Sequence, residues 1–116
     1  MTEPVAARPV LLTGASGALG RLLAGRLARE GRALVLTDLV EPAYTLPAGA
    51  RFMAADLADR EAVLRLGDDY SAIVHFGAVS TERDFAEIFG ANITGAHNIF
   101  DLARTSRARV VFASSN

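Results

Sequence analysis

Three glycines, Gly14, Gly17 and Gly20, stand three residues apart in the stretch T-G-A-S-G-A-L-G at 13–20. Glycine lets a backbone turn tightly and lets a ligand approach where a Cβ would otherwise intrude. An apolar run at 10–12 leads into the stretch, and Leu19, Leu22, Leu23, Leu27 and Ala28 recur at helical spacing from its end onward. The pattern is strand, turn, helix. Such a turn aims the first amides and the positive dipole end of a helix at an anion, so the expected chemistry is capture of a dinucleotide pyrophosphate. The plain alternative is a tight turn that holds no ligand.

Further polar positions fall at the ends of later apolar runs. Asp38 closes the run that begins at residue 33, eighteen residues beyond Gly20. A carboxylate there accepts hydrogen bonds from the adenosine ribose hydroxyls and repels a 2′-phosphate, which favours NAD over NADP. Asp56 and Leu57 follow the run at 51–54. They suit an adenine edge and ring, or Asp56 is an ordinary loop acid. His75, Phe76 and Gly77 end the run at 72–76; they read as backbone contacts to the cofactor, with a hydrogen-bonded structural histidine as the alternative. The run at 109–112 gives way to Ala113, Ser114, Ser115 and Asn116. Ser115 has no paired base, so orienting a substrate hydroxyl suits it better than nucleophilic attack. A plain polar strand end is the equal alternative. His97 falls in a helical pattern with no second ligand beside it, and no metal site is expected.

These positions need a scaffold that brings strand ends together. The runs near 10–12, 33–36, 51–54, 72–76 and 109–112 read as strands separated by helical segments. Asp59 suits the cap of a short helix reaching about residue 66, and a longer helix is expected over 85–103. Gly90, Asn92, Thr94 and Gly95 inside the longer helix mark a bend or close packing. Each strand is continuously apolar instead of alternating, the mark of a parallel sheet covered on both faces. The expectation is an α/β, Rossmann-like doubly wound parallel sheet of five strands in order 3-2-1-4-5, in one domain over residues 1–116, with residues 1–8 as a loose lead-in.

Composition narrows the partners. The 116 residues are 51% hydrophobic and 22% charged with a net charge of −1, which gives no general pull toward nucleic acid or anionic membrane. The N-terminal stretch has no apolar run suited to a signal or a membrane span. There is no cysteine for disulfide or thiolate chemistry, and the cytoplasm is the default compartment. All 12 Lys and Arg positions are arginine, so no side-chain ammonium group is present.

Taken together, T-G-A-S-G-A-L-G, Asp38, D-L at 56–57, H-F-G-A at 75–78, N-I-T-G-A-H-N-I-F at 92–100 and F-A-S-S-N at 112–116 resemble the extended short-chain dehydrogenase/reductase superfamily, of the NAD-dependent epimerase/dehydratase type. Within it, V-H-F-G-A-V-S, F-A-E-I-F-G-A-N-I-T-G and V-V-F-A-S-S-N are most similar to the uronate dehydrogenases. Those enzymes oxidise the C1 hydroxyl of glucuronate or galacturonate with NAD to an aldarolactone. The resemblance implies that Gly14, Gly17, Ala18, Leu19 and Gly20 surround the pyrophosphate and that Asp38, Leu39, Asp56 and Leu57 hold the adenosine half. His75, Phe76 and Gly77 would line the nicotinamide half. Ser80, Asn92 and Asn116 would contact the sugar acid or lie beside it, and Ser115 would be the catalytic serine that holds the reacting hydroxyl.

One departure accompanies the resemblance. The family's general base is a tyrosine in Tyr-x-x-x-Lys after the fifth strand, whereas Tyr44 and Tyr70 are followed four residues on by Ala48 and Val74. The expectation is therefore the N-terminal portion of a sugar-acid dehydrogenase, truncated after the fifth strand and inactive alone. It should expose apolar sheet surface and form a homo-oligomer when intact. A nucleotide-sugar epimerase or dehydratase and a non-catalytic NAD-binding module are the alternatives.

Overall fold

The computed structural model describes residues 8–78 and 83–113. Five strands, β1 (Val10–Thr13), β2 (Leu34–Thr37), β3 (Ala50–Phe52), β4 (Ala72–His75) and β5 (Arg109–Phe112), form one sheet in the order β3-β2-β1-β4-β5. Every pairing is parallel. The expected strand order and doubly wound class are both observed, with β2 and β3 each displaced by one residue from their expected starts.

Strand residues alternate between two apolar layers. Leu11, Val35 and Ile73 share one cluster with Ala62, Val63 and Leu66 from the α2 segment (helix Arg60–Leu64) and with Ile99, Leu102 and Ala103 of α4 (Gly95–Ser106). Val10, Leu12, Leu34, Leu36 and Val74 share the other with α1 (Ala18–Arg29), which contributes Ala24 and half-buried Leu23, Leu27 and Ala28. Both faces of the central strands are thus covered, which is why those strands carry no polar alternation. Edge strand β5 instead leaves apolar sheet surface open, with Val111 53% and Phe112 43% exposed. Leu19 and Leu22 depart from the expected inward stripe of α1, being 64% and 71% exposed. Gly20 and Ala24 take the buried positions instead, and a Cβ on Gly20 would run into the backbone of Gly14 and Ala15 in the turn after β1.

The long helical segment is interrupted as its glycines predict. Helix α3 (Phe85–Ile88) runs into a π-helical stretch, Phe89–Thr94, and then into α4. A Cβ on Gly95 would sit 3.3 Å from Leu57 Cβ, so glycine permits the close approach of α4 to the loop after β3. Arg8, expected in a loose lead-in, is held by Ser106 O at 2.9 Å and Asp69 Oδ1 at 3.2 Å.

Candidate dinucleotide site

The carboxyl ends of β1, β2, β3 and β4 converge on one cleft, where ligands bind in sheets of this class. One part is lined by Gly14, Gly17, Ala18, Leu19, Gly20, Asp38, Phe76, Gly77, Ala78 and Ala113. The adjoining part adds Leu39, Asp56, Leu57 and Ala91. Twelve of the anticipated cofactor positions therefore lie at one edge, His75 alone by its place in β4.

The three glycines do different work. Gly14 has φ +68, and a Cβ there would lie 2.7 Å from the Phe76 carbonyl carbon. Gly20 would drive a Cβ into Gly14 O and to within 2.7 Å of Ala15 Cα. Both are demanded by the fold. Gly17 is not: its φ is −80, and its Cβ would meet only Gly14 O, at an ordinary 3.5 Å. The space at Gly17 opens toward the cleft, in front of the first turn of α1. Gly17 gives no side-chain cap to that turn, and the turn carries no acidic residue. Its amides and positive dipole end remain available to an anion.

Asp38 is fixed by two backbone donors. Ser16 N–H donates to its Oδ2 at 3.0 Å and Leu39 N–H to its Oδ1 at 2.7 Å. A carboxylate has about four acceptor positions, so two remain for ribose hydroxyls. Asp56 is exposed and accepts from Ala58 N–H at 3.0 Å. Leu57 is held by the amide of buried Asn98, which donates to its carbonyl at 2.8 Å.

Beneath the cleft, Thr13 serves as a hub. Its hydroxyl oxygen accepts from Gly77 N–H at 2.9 Å and lies 2.7 Å from His75 Nδ1. Thr13 Oγ1 serves both bonds in either tautomer, donating to a bare Nδ1 or accepting from Nδ1–H. His75 Nε2 is buried without a hydrogen-bond partner among the described residues. His75 is 2% exposed, stacks on Phe112 with centroids 5.5 Å apart, and is pushed below the ordinary histidine range by burial. A neutral ring results. The side chain thus takes the hydrogen-bonded structural role, and Phe76 and Gly77 line the cleft. Gly77 admits no side chain, since a Cβ would lie 2.9 Å from Leu57 Cδ1 and 3.0 Å from Thr13 Oγ1.

Asn92 lies half-buried in the π-helical stretch, beside the cleft residue Ala91. Ser80, Ser115 and Asn116 lie outside the described residues. Neither tyrosine is free to act as a base: Tyr44 donates its hydroxyl to Ala15 O at 2.7 Å and Tyr70 to Leu66 O. Burial raises both phenols above their ordinary value. Sequence reasoning passed over Ser16, Tyr44 and Asn98. Ser16 and Asn98 lay inside the quoted stretches at 13–20 and 92–100, but the bonds of Tyr44 and Asn98 carry no local signal, because their partners are 29 and 41 residues away. Among the described residues no cluster of metal-ligating side chains occurs, and no helix is long and apolar enough to cross a membrane.

Comparison with known proteins agrees with this geometry. A uronate dehydrogenase of Pseudomonas syringae pv. tomato is 46% identical over 108 residues, which are 92% of this chain and 39% of that protein. The glucuronic acid dehydrogenase of Chromohalobacter salexigens superposes with TM-score 0.84 at 39% identity, over 94% of this chain and 41% of that one. A variant uronate dehydrogenase from Agrobacterium tumefaciens, complexed with NAD, superposes with TM-score 0.83 at 38% identity, over 93% and 41%. The chain thus spans about two fifths of the length of these relatives. Residues 10–116 match the model of the NAD dependent epimerase/dehydratase family, and the chain belongs to that family.

Proposed function

We propose that residues 1–116 form the N-terminal, dinucleotide-binding part of an NAD-dependent dehydrogenase that oxidises the C1 hydroxyl of a hexuronate, glucuronate or galacturonate, to an aldarolactone. The observation that carries the cofactor half is the open cradle at Gly17: an uncapped helix terminus with room in front of it, facing Asp38 and Gly77. The substrate half rests on the similarity to uronate dehydrogenases.

NAD, when bound, supplies the acceptor for the hydride. The chain's own residues bind and orient. The first amides of α1, from Ala18 and Leu19 onward, donate to the pyrophosphate. Asp38 accepts from the ribose hydroxyls, and its charge disfavours a 2′-phosphate. Asp56 and Leu57 meet adenine, while Phe76, Gly77 and the backbone of His75 line the nicotinamide half. Ser115 orients the reacting hydroxyl, and Ser80, Asn92 and Asn116 contact the sugar acid. The proton acceptor is neither Tyr44 nor Tyr70, whose hydroxyls are engaged elsewhere. The 116-residue chain alone therefore binds NAD without turnover.

The intact protein is proposed to act in the cytoplasm as a homo-oligomer. Phe85, Phe89 and Ile93, at helical spacing and 79%, 46% and 57% exposed, support the assembly.

The test is NADH formation from galacturonate and glucuronate by an intact polypeptide carrying this chain, with NAD titration of the 116 residues alongside. Uronate-dependent NADH is expected from the first and saturable binding from the second. Epimerisation of a nucleotide sugar with no uronate oxidation would transfer the reading to the epimerases.

A further inference from the structure

The loop after β2 does more than end in Asp38. It folds back over the glycine turn and is tied to it three times. Ser16 N–H donates to Asp38 Oδ2 at 3.0 Å, Ser16 Oγ donates to Val40 O at 2.6 Å, and Tyr44 Oη donates to Ala15 O at 2.7 Å. Ala15 is wholly buried, and its N–H is already committed to Thr37 O at 3.1 Å. The Tyr44 bond therefore lands on a rigid point of the turn. Buried Pro42 anchors the loop between the second tie and the third.

Tyr44 also holds a cation. The Arg21 guanidinium lies 5.6 Å from the centre of its ring, within the range of a cation–π contact. Arg21 follows the last glycine directly, yet it does not line the cleft. It lines a separate groove on the outer side of α1, with Arg29, Tyr44, Thr45 and Pro47. Asp38 lines the cleft and Arg21 lines the groove, and Tyr44 is bonded to the turn that Asp38 also grips. At the ribose edge the protein presents the carboxylate and keeps the guanidinium outside.

We propose that Tyr44 is a positioning and specificity residue for the adenosine half of the dinucleotide: its hydroxyl latches the Asp38 loop onto the glycine turn, and its ring holds Arg21 away from the ribose edge. This rests on the dinucleotide reading above. The latch sets where Asp38 meets the 2′- and 3′-hydroxyls. The ring denies a 2′-phosphate the Arg21 cation, which would compensate its repulsion from Asp38. Discrimination against NADP thus arises from two residues acting together, a fixed carboxylate and a sequestered arginine.

The experiment measures NAD, NADP and ADP-ribose binding by calorimetry on the purified chain, with Tyr44→Phe and Tyr44→Leu, and a thermal melt for each. Tyr44→Phe keeps the ring and loses the latch. NAD Kd is expected to rise about fivefold, the worth of one hydrogen bond, with a smaller rise for NADP. Tyr44→Leu also frees Arg21, and the ratio of NADP Kd to NAD Kd is expected to fall by about tenfold or more. Equal increases for both dinucleotides in both variants would assign Tyr44 a purely structural role and overturn the proposal. Unchanged affinities would overturn it too. If the parent chain binds neither NAD nor ADP-ribose, the dinucleotide reading itself fails, a result distinct from either.

Discussion

Helices α1 and α2 both follow a strand of the same parallel sheet, and their first turns are finished in opposite ways. At α2 the chain supplies its own partner: Asp59 accepts from Glu61 N–H and Ala62 N–H, and Glu61 adds a negative charge to the first turn. At α1 the corresponding place is Gly17, with no side-chain cap and no acid in the first turn. A side chain would fit there, since its Cβ would meet only Gly14 O at 3.5 Å. Where only the helix is at stake, the donors are satisfied internally. At α1 they are left open, as the proposed dinucleotide site requires, and the stability a cap would add is forgone.

The sharpest break in that contrast comes from the neighbouring glycine. Gly14→Ala places a Cβ 2.7 Å from the Phe76 carbonyl carbon at a φ of +68, so it should cost about 3 kcal/mol. A urea midpoint lowered accordingly checks it; a midpoint at the parent value would mean that the turn is not packed as described. Gly17→Asp should do the reverse. It caps α1 and leaves stability within about 1 kcal/mol of the parent, while placing a carboxylate against the pyrophosphate and weakening NAD on the order of a hundredfold. Calorimetry and a melt on the same sample separate the two effects, and retained NAD affinity would remove the α1 terminus from the site.

Asp59→Ala sharpens the other side. Loss of the cap should cost about 1 kcal/mol with NAD affinity unchanged. A parallel loss of NAD affinity would show that the two termini are not independent. A smaller, pH-dependent effect is expected from His75, whose pKa is held below the ordinary 6.5 by burial. The unfolded chain takes up the proton first as pH falls, so the folded state loses stability as pH drops from about 6.5 through the lower native value. Denaturation at a series of pH values should show this slope in the parent chain and its absence in His75→Asn.

Much of the site was legible in local sequence. The glycine spacing, the strand-end position of Asp38 and the strand-ending H-F-G each sit beside a hydrophobic run whose end is visible without partners. Parallel order followed from the unbroken apolarity of the strands. Periodicity places Leu19 and Leu22 on the inward stripe of α1, but the buried positions are Gly20 and Ala24, with Gly20 packed on the backbone of Gly14 and Ala15. The role of His75 was open from sequence, since a strand-end histidine can face a ligand or the core. Only its register beside Thr13 and its contact with Phe112 decide it.

The sequence by itself determined the alternation of elements, the glycine turn, the strand-end acid and the absence of a Tyr-x-x-x-Lys pair, because each is a property of neighbouring residues. Tertiary structure alone decided where Tyr44 and Asn98 bond and that His75 is internal, bonded to Thr13. Those depend on contacts between residues from 29 to 62 positions apart, which no local pattern encodes.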